Sequence, residues 1–335
     1  MWWGKGFTEW TNVSNARPKF DNHYQPHIPT DLGFYDLRVS ETRIAQTELA
    51  KKYGIDGFIY YHYWFNGKRL LNRPLDEILS LHKPDFPFCL CWANESWSNK
   101  SGPTYNTGLQ NKEVLINQKY STRDDVKHIN WLLNIFKDPR YIRINNKPLF
   151  IVFRPSLLPN PIKTIGLWRK EARKMGIGDL YLCMVQAFPK DRENPLSWGF
   201  DAAIEFQPND QLREKVDTKT YTKTDYIYSY KKTTQLSLAQ KPADYVKFPC
   251  VMPSWDNTAR RNEGATIYIG STPKLYYEWI RELIKKGAGV IDNQKIIFVN
   301  AWNEWGEGCH LEPDTKWGRK YLIAHKKAME SLKLD

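Results

Sequence analysis

Several common signatures are missing from this sequence, and each absence narrows what the chain can be. No Cys-x-x-Cys spacing occurs, and the five cysteines, Cys89, Cys91, Cys183, Cys250 and Cys309, are odd in number. Cys89 and Cys91 are alternate residues of one apolar run, so they share a strand face and make poor disulfide partners. Buried, reduced thiols are expected, which points to a reducing compartment. No apolar stretch reaches the roughly 20 residues of a transmembrane helix. The opening Met1-Trp2-Trp3-Gly4-Lys5 has no apolar signal-peptide core. A cytoplasmic protein without stable membrane insertion is expected. No Gly-x-Gly-x-x-Gly or P-loop run follows a strand-like segment, which argues against a doubly wound nucleotide-binding domain.

Positive charge is plentiful but unconcentrated. Against 37 Asp and Glu stand 49 Lys and Arg, a formal net charge of +12. Such a balance draws anionic partners, yet the basic residues are scattered. The densest cluster, Arg169-Lys170 with Arg173-Lys174, lies on an apparent helix. A solvated basic surface is the better reading, and no nucleic-acid partner is expected. Aromatics are the most informative class, at 14% of residues with 14 Trp. Many sit beside polar groups, as in Tyr60-Tyr61-His62-Tyr63-Trp64, Trp92-Ala93-Asn94-Glu95-Ser96-Trp97 and Trp255-Asp256-Asn257. Aromatic faces stack on the apolar faces of sugar rings while polar neighbours bond the hydroxyls, so a glycan partner is expected.

Strand-like and helix-like runs alternate along the chain. The apolar runs are 57–61, 88–92, 148–153, 180–185, 202–206, 248–252 and 295–302. Near-continuous apolar strands are the mark of a parallel sheet covered on both faces. Helical patterns occur at 40–53, 123–137, 161–175, 272–286 and about 316–332. The expected class is α/β, a TIM-like (β/α)8 barrel in which seven of eight strands are counted and the first is missing from the N-terminus. Residues 1–335 read as a single domain, with a loop from Trp2 to Asp31 and a polar excursion over 208–246. No linker and no internal repeat divides the chain.

Barrel chemistry sits at the C-terminal ends of strands. Those ends here carry His62-Tyr63-Trp64, Trp92-Ala93-Asn94-Glu95, Arg154, Glu205, Trp255-Asp256 and Asn303-Glu304-Trp305-Gly306-Glu307. Glycoside cleavage needs two carboxyl groups beside one bond. Glu304 and Glu307, with Gly306 between them and Gly308 after them, meet that need at a turn. Close like charges also push two pKa values apart and leave one group as an acid. The competing reading is surface pairing with Lys or Arg. Substrate contacts are expected from His62, Tyr63, Trp64, Trp92, Asn94, Glu95, Trp97, Arg154, Glu205, Trp255, Asp256, Arg260 and Asn303. For His62 a core position, for Trp92 core packing, and for Arg154, Arg260 and Arg261 a rim salt bridge are the alternatives. His23, His27 and His62 offer no metal spacing, because Pro26 and Pro29 break any helix that would align them. No metal and no cofactor is expected.

The runs Asn303-Glu304-Trp305-Gly306-Glu307-Gly308 and Leu311-Glu312-Pro313 resemble the signature of glycoside hydrolase family 99 and its bacterial WbsX-like relatives. The segments Trp2-Trp3-Gly4-Lys5-Gly6-Phe7-Thr8-Glu9-Trp10, Tyr61-His62-Tyr63-Trp64-Phe65, Cys91-Trp92-Ala93-Asn94-Glu95 and Trp255-Asp256-Asn257-Thr258 are similar to the WbsX-like branch. The resemblance spans nearly the whole chain except the family's first strand. It implies a retaining α-mannosidase-type barrel working through a 1,2-anhydro sugar. Glu304 would be the base on the 2-hydroxyl and Glu307 the general acid/base. It also brings in rival expectations, since WbsX-like proteins resemble members of O-antigen, capsular and lipopolysaccharide biosynthesis clusters. One rival is a glycosyltransferase; the other is a noncatalytic glycan-binding barrel. The absence of an Asp-x-Asp motif counts against a nucleotide-sugar donor.

Overall fold

The computed structural model describes residues 5–98, 114–216, 225–261, 263–292 and 294–331. All seven apolar runs form strands: β1 (Phe58–Phe65), β2 (Phe88–Trp92), β3 (Lys147–Val152), β4 (Tyr181–Gln186), β5 (Ala202–Glu205), β6 (Lys247–Phe248) continuing past Pro249 as β7 (Cys250–Val251), and β8 (Phe298–Val299). Each run pairs in parallel with the next one in the chain. Phe58 lies opposite Phe88, Leu90 opposite Phe150, Leu149 opposite Tyr181 and Cys183 opposite Ala202. Lys247 lies opposite Ala203, and Cys250 opposite Phe298. Parallel neighbours need crossovers, and most of the connections contain a helix. The fold is therefore α/β with a parallel central sheet. Among the described residues no ladder joins β8 to β1.

The α-helices described are α1 (Glu9–Asn15), α2 (Ser40–Lys52), α3 (Arg73–Leu81), α4 (Thr122–Ile135), α5 (Pro161–Lys174), α6 (Tyr230–Leu238), α7 (Pro273–Lys285) and α8 (Lys320–Glu330). Local chemistry sets their starts. The side chains of Ser121, Asn160 and Thr272 accept bonds from the backbone N–H groups of Asp124, Lys163 and Leu275. Pro161 and Pro273 occupy first helical positions, where a missing N–H costs nothing. Helices α1, α3 and α6 depart from the sequence reading. Helix α1 buries only Val13, so its two turns carry no apolar period. Helix α6 buries Tyr230, Thr233, Thr234 and Ser237, a face too polar to register as one. It lies within the expected excursion 208–246, of which 217–224 fall outside the described residues. Trp2, Trp3 and Gly4 of the opening motif also fall outside them. No described helix is long and apolar enough to cross a membrane.

Two apolar clusters hold the elements. In the first, Phe88, Leu90, Trp92, Phe150 and Leu182 of the sheet pack with Ile129 and Leu132 of α4, Phe136 just after it, and Trp168 of α5. In the second, Val251, Met252 and Leu311 pack with Trp279, Ile280 and Leu283 of α7 and Leu322 of α8. The other sheet face lines a cavity. Ile59 and Tyr61 of β1 remain 40% and 45% exposed there, unlike β2, β4 and β5, which are buried throughout. All five cysteines are buried and free.

Candidate active site

After β8 the chain forms a short hairpin. Asn303–Glu304 (β9) pairs antiparallel with Cys309–His310 (β10), and Trp305–Glu307 makes a 3-10 turn between them. The motif's glycines answer to sterics. Gly308 has φ +57°, and a Cβ there would lie 2.7 Å from the Asp256 carbonyl oxygen. That backbone contact is tight because the Asp256 N–H donates to the Glu307 carbonyl at 2.7 Å. At Gly306 a Cβ would lie 2.0 Å from Oε1 of Glu9. Only glycine lets the first helix bring its acid against the turn.

Three carboxylates meet one guanidinium at this point. Arg260 Nη2 donates to Glu304 Oε1 at 2.7 Å, and Nη1 lies 3.0 Å from Glu307 Oε1. Its Nε and Nη2 donate to the two oxygens of Glu9 at 2.7 and 3.0 Å. Arg260 is held well above its ordinary pKa by Glu304, Glu307 and Glu9, although burial works against its charge. Both Glu304 and Glu307 are raised, chiefly because protein surrounds them, while Arg260 pulls them down. Their side chains are still 32% and 25% exposed, and both line the cavity described below. Three negative groups against one bridging cation favour a proton on the pair, as general acid–base work requires.

Behind the turn, Glu312 is buried and accepts from Trp305 Nε1 at 2.7 Å, Tyr35 Oη at 2.8 Å and Gln46 Nε2 at 2.7 Å. Tyr35 in turn accepts from Asn303 Nδ2 at 3.0 Å. Burial pushes Glu312 up to about 7, with the three donors opposing. The indole of Trp305 stacks on His310, centroids 3.7 Å apart. The residues on either side of Glu304, Asn303 and Trp305, are thus pinned.

The cavity has a volume of about 1280 Å³, beyond the roughly 300–1,000 Å³ of ordinary small-ligand pockets. Of the residues expected to contact substrate, Tyr63, Glu95, Trp97, Glu205, Trp255, Arg260 and Asn303 line it, together with Glu304 and Glu307. Tyr63 and Trp97 meet edge to face at 5.3 Å. Glu205 is tied to Lys247 at 3.0 Å and Gln240 at 3.1 Å.

The remaining expected residues are not among those that line this cavity. His62, Trp64 and Trp92 point to the helix side of the sheet. His62 Nε2 faces His128 Nε2 at 2.9 Å, Trp64 donates to Asp124 at 3.0 Å, and Trp92 packs on Trp168. Asn94 is fully buried and brackets the Arg154 backbone, accepting from its N–H and donating to its carbonyl, both at 2.8 Å. Arg154 is committed to Glu95 and to Asp191, and its guanidinium lies 3.9 Å over the Phe188 ring. Asp256 accepts from His23 at 2.6 Å, Gln25 at 2.7 Å and the Thr258 N–H at 3.0 Å, away from the cavity.

With this geometry in place, comparison with known proteins is decisive for family. Residues 1–325 match the family model described as Glycosyltransferase WbsX. The chain belongs to the WbsX family. Two relatives, both called Uncharacterized protein WxcX, come from two strains of Xanthomonas campestris pv. campestris. Each is 39% identical, over 334 and 333 residues, covering 98% of this chain and 47% of the relative. The chain spans about half the length of the curated relatives it matches. A solved glycoside hydrolase-like protein superposes with a TM-score of 0.62 at 15% identity, covering 90% of this chain and 89% of that one. The GH99 endo-α-mannosidase from Bacteroides thetaiotaomicron gives 0.58 at 16% identity, with 92% and 84% covered. At such identities the likeness is one of fold.

In this WbsX-family chain Glu9 and Glu312 stand in the quoted motifs without a site role being read for them, and Tyr35 is missed altogether. A signal for Glu9 was present. It is an acid between Gly6-Phe7-Thr8 and Trp10, the same company of Gly and Trp that marks Glu304. What hid it was its place in a segment read as loop, 251 residues from Arg260.

Proposed function

We propose that this chain is a carbohydrate-active enzyme, a retaining glycoside hydrolase cleaving α-linked manno- or rhamno-configured glycans. The observation that carries the reading is Glu304 and Glu307 held by two nitrogens of one guanidinium at the edge of one cavity. Their oxygens are thereby about one guanidinium apart, close enough to serve a single sugar ring. In the first step Glu304 takes the proton of the 2-hydroxyl. The freed oxygen attacks C1, the C1–leaving-group bond breaks, and Glu307 gives its proton to the departing oxygen. A 1,2-anhydro sugar results. Glu307, now ionised, takes a proton from water as that water attacks C1. The C1–O2 bond opens, and O2 recovers its proton from Glu304. Trp97, Tyr63 and Trp255 supply aromatic walls for the sugar. The sheet in this reading is a (β/α)8 barrel closed by an eighth strand. Support comes from one cavity being lined by residues of both β1 (Ile59, Tyr61) and β8 (Phe298, Val299), which no ladder joins among the described residues.

The family description favours a second reading, a glycosyltransferase. The same pair would then pass the anhydro sugar to a hydroxyl of an acceptor glycan in place of water. One experiment separates the readings. The protein and its Glu304→Gln and Glu307→Gln variants are incubated with α-linked bacterial surface oligosaccharides, with and without sugar donors. Glutamate-dependent cleavage without a donor is expected. Extension that requires a donor replaces the hydrolase with the transferase. Binding that survives both substitutions without turnover leaves a noncatalytic glycan-binding barrel.

A further inference from the structure

We propose that His27, His310 and Asp314 form a metal site for a divalent ion of the zinc class, clasping the N-terminal arm to the segment after the Glu304–Glu307 turn. The proposal stands apart from the glycosidase reading. All three side chains are buried, and their nearest donor atoms lie within 4.8 Å of one another. His27 Nδ1 is 2.9 Å from His310 Nε2, and Asp314 Oδ2 is 3.8 Å from that same nitrogen. Ligand atoms 2.0–2.1 Å from a tetrahedral zinc lie about 3.3 Å apart. The two spacings to His310 bracket that value, and the third pair, His27 to Asp314, lies within 4.8 Å, so an ion would draw the arm and the segment together.

The tautomer of His310 is decided by its partner. Its Nδ1 lies 2.9 Å from the Glu312 carbonyl oxygen, which can only accept, so the proton is on Nδ1. The lone pair on Nε2 therefore points at His27 and Asp314. A ring N–H donated to a backbone carbonyl is the usual way a protein orients a metal-binding imidazole. Trp305 stacks flat on the His310 ring and fixes its plane. The Trp317 N–H holds Asp314 Oδ1 at 2.6 Å, which leaves Oδ2 for the histidines. Backbone bonds flank the site on both strands: Thr30 N–H to the Pro313 carbonyl at 3.0 Å, and Thr315 N–H to the Ile28 carbonyl at 2.9 Å. The ligands thus stand on a short clasp between chain segments 283 residues apart. Beside them lies a second, smaller cavity of about 130 Å³, lined by His27, His310, Asp314, Tyr24 and Lys316. It has room for a water as fourth ligand. Two neutral imidazoles and one carboxylate suit zinc better than the all-oxygen sets of calcium or magnesium. A proton on His27 Nδ1 would also fill the 2.9 Å gap, and the test tells the two apart.

Tag-free protein is stripped with EDTA, then titrated with Zn²⁺ while bound metal and the melting temperature are measured. Co²⁺ serves as the visible probe. The expected result is one ion per chain, a rise in Tm on adding zinc, and d–d absorption with cobalt. Binding should be lost in His27→Gln and in Asp314→Asn, and kept in His82→Ala, which removes the one exposed histidine among the described residues. Circular dichroism checks that each variant is folded, and the wild-type measurement stands without them. No retained ion and no Tm change in the wild type overturns the proposal. So does binding that persists unchanged in both folded variants.

Discussion

Arg260 sets the protonation of the site because it is the cation shared by Glu9, Glu304 and Glu307. Replacing it with Met removes the group that pulls both glutamates down, so both rise further. The limbs of the kcat/KM–pH profile should therefore move to higher pH, and the rate at neutral pH should fall because the ionised base becomes scarce. Arg260→Lys, which keeps the charge, should restore part of the shift. An unmoved profile in Arg260→Met would show that the guanidinium does not govern the pair. Glu304→Gln and Glu307→Gln should each cost about 10²–10⁴-fold in kcat, the range for a positioned acid or base. Glu312 makes a separate prediction about stability. Its folded value of about 7 lies above the ordinary carboxylate value, so the fold favours its protonated form. That contribution is fully present below about pH 4.5 and is lost as pH rises through about 7, a change of a few kcal/mol. Urea melts across that window should show the decline in the wild type. Glu312→Gln, which cannot ionise, should flatten it.

At the scale of the element, the Asn303–His310 hairpin contains two glycines that do different work. A Cβ at Gly308 would strike the Asp256 backbone in a left-handed conformation, so Gly308→Ala should cost stability, about 1–2 kcal/mol for the conformation alone. A Cβ at Gly306 would strike side chains rather than backbone, Glu9 Oε1 at 2.0 Å and Arg260 Nε at 2.7 Å. Gly306→Ala should leave the melting temperature nearly unchanged but break the Glu9–Arg260 pair and lower kcat/KM. Measuring both quantities on both variants tests the distinction. Strand β1 shows the limit of sequence reading at this scale. Its position was legible because a strand in a parallel sheet reads as an apolar run. Its facing was not. Tyr61 and Tyr63 line the cavity while His62 and Trp64 enter the helix layer. Successive side chains alternate faces, but both faces carry aromatics, so composition cannot say which parity looks inward. The same ambiguity placed Trp92 at the rim when it packs on Trp168.

At the scale of the molecule, the sheet is well packed on its helix side and open at the cavity. Leu90 is 0% exposed and Ile59 is 40% exposed, although both are aliphatic residues of neighbouring strands. Leu90→Ala should therefore destabilise by about 2–5 kcal/mol, and Ile59→Ala by well under half of that. Equal costs in thermal or urea melts would mean that the β1 face is covered in solution. The sequence by itself determined the seven strand segments, most of the long helices and the acid pair at Glu304 and Glu307, because periodicity, capping and a turn motif are local. Only the tertiary structure decided which strand face meets the cavity, that Arg260 unites the pair with Glu9, and that His27 reaches His310. The last two depend on segments more than 250 residues apart being packed together, and no local pattern encodes the distance between them.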